Sequence, residues 1–521
     1  MIWRRILICA VIMGGLLALP FYFRKADGIP PVEPGADRLV IISAHNKSVR
    51  DEYEIAFREY YKKRFGKDIV LDFRSPGGTS DITRHIEDRY THEFRREWEN
   101  SGKEWRDEYR NIFNNDRAGD HPVRQAFLKS GVSIGIDIFA GGGSFNHERQ
   151  ARKGYAVDGG VQKRHPEYFG KNAIPASFGG ERLYDPQGRY YGVVLSTFGM
   201  LYNIDRLNEL ADKRAPVQWS DLGEPRFFRQ VIVADPSKSG SANKCFEIII
   251  QQCMAKAGNP EQGWADGMNL LKKIFGNART VTDSASKVVR DIAIGEGAVG
   301  TAIDTYGFAE VEWSRRMFDG NSRVVYVTPK GGTAVSSDPV QILRGAPNRK
   351  AAEAFVDFLL SMEGQKLHSY RMGVPGGARK ASINRPSIRM ELYAGEHREF
   401  LFEKNYDPYA SGSDFEYRPK WTGPYYGLIQ MVIKSIMLDA HMELQQAWQA
   451  IIAAGGPEKV PQAMAVFNRL PFEYKDAAKA ALSLRSGNGR SAADVAAVMR
   501  KWNDQARANY VEAARLAEEG K

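Results

Sequence analysis

Arg38-Leu39-Val40-Ile41-Ile42-Ser43-Ala44-His45-Asn46 is the stretch whose reading decides the fold. Four aliphatic residues in a row, Leu39 to Ile42, followed by a small polar turn, read as a buried strand. In Tyr53 to Phe65 the positions Tyr53, Ala56, Phe57, Tyr60 and Tyr61 recur at three and four, the spacing of a helix packed on a sheet. Ile69 to Phe73 reads as a second strand, and Ser75-Pro76-Gly77-Gly78-Thr79-Ser80-Asp81 as a glycine turn feeding the next helix. Strand, helix and strand make a βαβ start.

The same alternation extends down the chain. Residues 84 to about 130 interrupt it with a stretch dense in Arg, Glu, Trp and Tyr, which reads as a solvated helical insertion. The core pattern resumes with a strand at Ser133 to Phe139 ending in Ala140-Gly141-Gly142-Gly143-Ser144. A strand pair lies around Tyr190 to Tyr202, then come the turn Asp235-Pro236-Ser237-Lys238-Ser239-Gly240, a helix to about Ala257 and another at Trp264 to Phe275. Strands at Val299 to Ile303 and Val324 to Thr328 and a helix at Arg349 to Leu360 complete the pattern. This alternation implies mostly parallel sheets flanked by helices, with enough units for two. From about Arg385 the texture changes to helical segments at Tyr425 to Ile451, Pro461 to Asn468, Lys475 to Leu484 and Ala492 to Ala517.

At the other end, Arg4 and Arg5 precede the uncharged run Ile6 to Phe23, and Arg24 and Lys25 follow it. The run is long enough for a membrane-spanning helix and closes on Pro20-Phe21-Tyr22-Phe23, an aromatic edge, rather than on a small-x-small cleavage site. It reads as an uncleaved signal anchor, with a cleaved signal peptide as the alternative. The three cysteines offer no disulfide framework, since Cys245 and Cys253 lie about 12 Å apart on one helix. The net charge of +10 is spread among acidic residues rather than gathered in a block, which argues against a nucleic-acid partner.

Three glycine-and-hydroxyl turns each follow a strand and precede a helix: Gly77-Gly78-Thr79-Ser80, Gly141-Gly142-Gly143-Ser144 and Ser237-Lys238-Ser239-Gly240-Ser241. Glycine lets a ligand approach the backbone, and a helix start offers free N–H groups and a positive dipole end, so such turns suit carboxylate or phosphate oxygens. Catalytic patterns are missing. Gly295-Glu296-Gly297-Ala298-Val299-Gly300 matches a dinucleotide fingerprint but leads from a helix into a strand, the reverse of the required order. There is no His-x-x-x-His, Cys-x-x-Cys or Gly-x-Ser-x-Gly, so neither a metal site nor a nucleophile and base can be read, and no cofactor is expected. The expected cleft residues are Thr79, Ser80, Gly143, Ser144, Ser239, Ser241, Ser284, Asp304 and Tyr306. Thr79, Ser144 and Ser241 would hold oxygens, Asp304 and Tyr306 would take hydroxyls or a cation, and Ser284 sits in the helix-capping run Thr282-Asp283-Ser284.

Several segments, in order, resemble the type II periplasmic solute-binding proteins of ABC importers, in particular the ferric-iron and related solute-binding group. They are Leu39 to Asn46 with its helix, Asp137-Ile138-Phe139, Tyr191-Gly192-Val193-Val194 with Met200-Leu201-Tyr202-Asn203, Pro216 to Leu222 with Ala234-Asp235-Pro236, and Gly295 to Gly300. Asp338 to Ile342, Gly345 to Asn348, Ala351 to Leu360 and Glu363-Gly364-Gln365 close the series. The resemblance covers roughly residues 38 to 385 and implies two α/β lobes around a cleft that closes on a solute. It divides the chain into anchor or signal (1–28), tether (29–37), lobe one (38–193, with the insertion at about 84–130), lobe two (194–328), a return to lobe one (329–400) and C-terminal helices (401–521). Its final helices would pack on lobe one. The resemblance implies an extracytoplasmic receptor that hands a small solute to an ABC permease; the missing acid–base constellation makes it non-enzymatic, the uncharged N-terminal run would tether it to the cytoplasmic membrane, and a monomer is expected. The ferric proteins of this group use a His, a Glu and two adjacent tyrosines. Here His45 and Tyr306 could serve, but Gly141 to Gly143 stand at the Glu position and Asp304-Thr305-Tyr306 replaces the tyrosine pair. An oxygen-rich organic anion is therefore the expected solute, with ferric iron, or a sensing and assembly role, as the alternatives.

Overall fold

The computed structural model describes residues 32–484 and 491–521. The expected N-terminal anchor lies outside the described residues, and no described helix is long and apolar enough to cross a membrane. Along the chain the strands are β1 Asp37–Ser43, β2 Ile69–Arg74, β3 Ile138–Ala140, β4 Ala156–Val157, β5 Ser177–Phe178, β6 Glu181–Arg182, β7 Tyr191–Ser196, β8 Phe198–Asn203, β9 Val231–Ala234, β10 Ala278–Thr282, β11 Val299–Ile303, β12 Val324–Val327 and β13 Ser336–Leu343.

They form two main sheets. In the first, of order β2-β1-β3-β13-β4, β1 runs parallel to β2 and β3, while β13 is antiparallel to β3 and β4 and also pairs with β7. In the second, of order β10-β9-β11-β8-β12, β9 is parallel to both neighbours and β8 antiparallel to β11 and β12. Each sheet has its own core. Leu39, Ile41, Phe57, Val194, Phe355 and Leu359 belong to one, Ile232, Ile249, Leu271, Val299 and Trp448 to the other. The chain passes between the sheets at Thr197, one residue after β7, somewhat later than the expected boundary at 193/194, and returns through 328–335. A third passage, 402–418, runs along the seam: Phe402 and Tyr406 pack on Phe308 of the second lobe, while Tyr409 packs on Phe178 of the first.

Two expectations about packing are corrected. The stretch at about 84–130 is not merely solvated. Ile82, Ile86, Tyr90 and Phe94, four residues apart on helix Thr79–Asn100, are buried with Phe113, Phe127 and Tyr155 against the Val40, Ile42 and Phe139 face of the first sheet. Arg124 ties this layer down by donating to the carbonyls of Phe113, Arg152 and Lys153. The C-terminal helices pack on the second lobe, not the first. Trp448 stacks near Phe467 and donates to Asn277 Oδ1 at 2.7 Å, and it lies so close to Gly276 that a Cβ there would stand 2.9 Å from its ring. The expected helix from Tyr425 to Ile451 is two helices, Tyr426–Ile433 and His441–Ala453, with a π-helical turn Lys434–Leu438 between them.

Candidate functional site

The carboxyl ends of β1 and β3 deliver His45 and the glycine turn to the space between the lobes. Gly141, Gly142 and Gly143 have φ of +87°, +100° and +72°, a run of left-handed residues that only glycine adopts cheaply. Close packing adds to the requirement, because a Cβ on Gly142 would stand 2.4 Å from Thr79 Cγ2 and one on Gly141 3.0 Å from His45 Nε2. The turns carrying Thr79 and Gly143 are thus in contact. Successive N–H groups in such a conformation form a concavity for an anion. Here the anion is internal: the N–H of Gly142 donates to Asp338 Oδ1 at 2.5 Å, with that of Gly143 at 3.5 Å.

Asp338 also meets a cation. Arg385 Nη1 lies 2.7 Å from Asp338 Oδ2 and 2.9 Å from His45 Nε2, and all three side chains are largely buried. Burial alone would raise the Asp338 carboxyl, but the Arg385 charge, His45 and the Gly142 N–H hold it well below the usual carboxylate range. Burial and then the same guanidinium lower the His45 pKa, so the ring is neutral at physiological pH and bonds Ser43 Oγ through Nδ1 at 2.9 Å. The Arg385 charge also acts on the phenols of Tyr53 and of Tyr306, which stands in the first turn of helix Asp304–Met317 in the second lobe. Asn384, left-handed at φ 52°, turns the chain immediately before Arg385.

The remaining expected residues divide. Ser144 starts helix Ser144–Lys153 and its hydroxyl lies 3.2 Å from that of Ser337. Across the seam, Ser239 caps helix Gly240–Ala257 by accepting from Ala242 N, and Ser241 stands half-buried in its first turn. Tyr426 connects the two turns: its hydroxyl donates to Gly240 O at 2.9 Å and its ring lies 5.2 Å from that of Phe145, the residue after Ser144. Ser80 is exposed, and the Ser284 hydroxyl is occupied in capping helix Ala285–Ala293.

Asp304 is placed differently from its expected role. It is wholly buried where the chain crosses between sheets, accepting from Thr197 N at 2.9 Å, Tyr406 OH at 2.9 Å and Thr305 N at 2.7 Å. Burial pushes its carboxyl up to about 6. Most of its acceptor capacity, above all that of Oδ2, is taken up at the crossing between the sheets. Arg385 and Asp338, the largely buried charged pair beside the glycine turn, were not singled out from the sequence. Asp338 stands in a strand motif and Arg385 is one of 73 basic residues, with only Asn384 before it and Pro386 after it as local signals.

Two α/β sheets, each with its own core and joined by crossing strands, define the class of two-lobed binding proteins. Residues 154–389 match the family of bacterial extracellular solute-binding proteins, and the resemblance to the type II solute-binding proteins is thereby borne out. The chain is 29% identical over 226 residues to an uncharacterized protein of Haemophilus influenzae, covering 43% of this chain and 59% of the relative. It is 29% identical over 175 residues to the phosphoglycerate transport regulatory protein PgtC of Salmonella typhimurium, covering 34% and 39%. The chain therefore spans only 59% and 39% of the lengths of these relatives. Among solved structures, it aligns with the periplasmic binding protein AfuA of Actinobacillus pleuropneumoniae, bound to fructose-6-phosphate, at 19% identity and a TM-score of 0.46, covering 76% and 99% of the two chains.

Proposed function

We propose that this chain is the extracytoplasmic solute-binding component of an ABC importer, capturing a small oxygen-rich anion between its lobes and delivering it to a permease. The observation that carries this reading is Arg385, a largely buried guanidinium paired with Asp338, the carboxylate to which the N–H of Gly142 in the glycine turn donates. A guanidinium matches carboxylate and phosphate geometry through its planar fork. Ser239 and Ser241 add a second helix start from the opposite lobe. The partial relationship to a phosphoglycerate transport protein agrees with an anionic solute. Hinge motion at Thr197 would close the lobes on it, with Asp304 and Tyr406 as the fixed support. The uncharged run at 6–23 would tether a monomer to the cytoplasmic membrane.

The ferric alternative has the weaker support. Its would-be ligand His45 and the neighbouring carboxylate Asp338 are both within hydrogen-bond reach of Arg385, a fixed positive charge where a ferric ion would have to sit. Native mass spectrometry of the protein purified without refolding tests both. A co-purified organic anion lost on Arg385→Ala supports the proposal, whereas a stoichiometric ferric ion lost on Tyr306→Phe overturns it. Protease access in intact cells tests the placement: digestion only after the inner membrane is lysed would contradict it.

A further inference from the structure

We infer that Lys244, Glu181 and Tyr417 form a latch between the lobes that sets how readily the cleft opens. This rests on the solute-binding reading for its purpose, though not for its geometry. Lys244 lies in the second turn of helix Gly240–Ala257, in the second lobe, and Glu181 opens β6 in the first. The Lys244 ammonium stands 2.6 Å from Glu181 Oε1 and 3.2 Å from Glu247 Oε2, and 3.4 Å over the centre of the Tyr417 ring. The three charged side chains are only 16%, 10% and 0% exposed.

The two carboxylates play different parts. Glu247 is on the same helix as Lys244 and accepts from Tyr417 OH at 2.8 Å and Thr422 Oγ1 at 2.5 Å, contacts that travel with the second lobe. Glu181 belongs to the other lobe, where Ser336 Oγ lies 3.3 Å from it. The Lys244–Glu181 pair is therefore made only when the lobes are together, and parting them leaves Lys244 its helix neighbour. A contact present in one of two states biases the equilibrium between them by its whole free energy. Apparent solute affinity scales with the fraction of molecules held in the competent state.

The passage 402–418 is the second half of the device. Tyr417 N donates to Gly179 O of the first lobe at 2.7 Å, while its hydroxyl bonds Glu247 of the second. This approach requires glycine on the first lobe: Gly180 has φ +82°, and a Cβ there would stand 1.9 Å from Tyr417 O. One residue is thus fastened to both lobes, by its backbone to one and by its side chain to the other. Opening must break one of the two bonds.

The test uses the full chain without solute, so its outcome does not depend on the solute-binding reading. Glu181→Gln keeps the shape and the Ser336 contact but removes the interlobe charge pair. The expected results are a larger radius of gyration in solution scattering and about tenfold or greater acceleration of hydrogen exchange at the Tyr417 amide. Lys244→Gln in the Glu181→Gln background should add little further opening, because the two residues act as a pair. Scattering and Tyr417 exchange identical to wild type in Glu181→Gln would overturn the latch, as would strictly additive effects of the two substitutions. Opening without any bound anion in the native protein would leave the latch standing and remove the solute-binding reading instead.

Discussion

Lowering the pH should weaken the glycine turn through His147. This ring is fully buried behind the turn, with Nε2 2.9 Å from Gly141 O, Nδ1 3.0 Å from Gln341 Oε1 and its ring centroid stacked 4.2 Å from that of Phe139. A neutral imidazole donates through one nitrogen only, so Nε2–H donates to Gly141 O and Nδ1 accepts from Gln341. This requires the Gln341 amide to be turned over from the orientation with Oε1 towards Nδ1, a turn that also gives its buried nitrogen, otherwise without a partner, a bond to the ring. Burial lowers the His147 pKa from 6.5 to about 4. Below pH 6.5 the unfolded chain binds a proton that the folded one refuses until about 4, so stability is full above 6.5 and is lost across that window. At 1.36 kcal/mol per unit, the shift corresponds to about 3 kcal/mol. His368, lowered to about 3, acts in the same sense, whereas Asp304, raised to about 6, returns stability as the pH falls below 6. A difference experiment isolates His147. His147→Gln keeps a donor and an acceptor but does not titrate. It should cost about 1–2 kcal/mol at pH 7 through the lost stack, yet lose about 3 kcal/mol less than wild type between pH 7 and 4. Urea unfolding at four pH values in this range measures both. Parallel curves for the two proteins would refute the argument.

Arg385→Ala should lower stability by about 3–5 kcal/mol, because it strands the buried Asp338 charge, and Arg385→Met combined with Asp338→Asn should recover most of it; thermal melts compare the two. Gly142→Ala forces a Cβ into Thr79 at a φ of +100° and should cost about 1–3 kcal/mol, whereas Gly143→Ala, with nothing within 4 Å of its Cβ, should cost only the backbone penalty of about 1–2 kcal/mol. Urea titrations should rank them in that order. Gly180→Ala, by pushing away Tyr417, should expose 402–418 to protease at a concentration that leaves the wild-type chain intact.

Strands such as Leu39–Ile42 and Val299–Ile303, and the crossing after Tyr191–Ser196, were legible because a covered strand is almost continuously apolar, whereas Val231–Ala234, Ala278–Thr282 and Ser336–Leu343 were not read as strands, and Ser133–Phe139 is strand only from Ile138. The buried side of 79–129 was hidden by composition. Ile82, Ile86, Tyr90 and Phe94 keep a strict spacing of four, but the Arg and Glu residues between them dilute the signal that a wider apolar stripe would give. The lobe that receives the C-terminal helices could not be read, since both lobes offer apolar helices and the choice depends on fits such as Trp448 against Gly276. The Gly141–Gly143 turn announced itself through the rarity of three glycines in a row. Its partner Asp338 lies 195 residues from Gly143, and Arg385 lies 47 residues beyond Asp338, separations that no local pattern spans.

The internal carboxylate changes what the glycine turn can contribute. Read from the sequence, its N–H groups were free to meet a solute anion; in the fold, Gly142 already donates to Asp338 at 2.5 Å. Asp338 in turn fixes Arg385 from one side, at 2.7 Å through Nη1. Under the proposed function, recognition would shift from the backbone to the guanidinium, and the turn would act one step removed, by holding the carboxylate that orients it. Such an arrangement favours geometry over charge: a lysine at 385 would keep the positive charge near Asp338 but lose the planar fork. Arg385→Lys should accordingly preserve most of the melting temperature while abolishing retention of the co-purified anion in native mass spectra. Retention of that anion by the lysine variant would mean that the cleft attracts its solute by charge alone, and that the turn, Asp338 and Arg385 do not work as a unit.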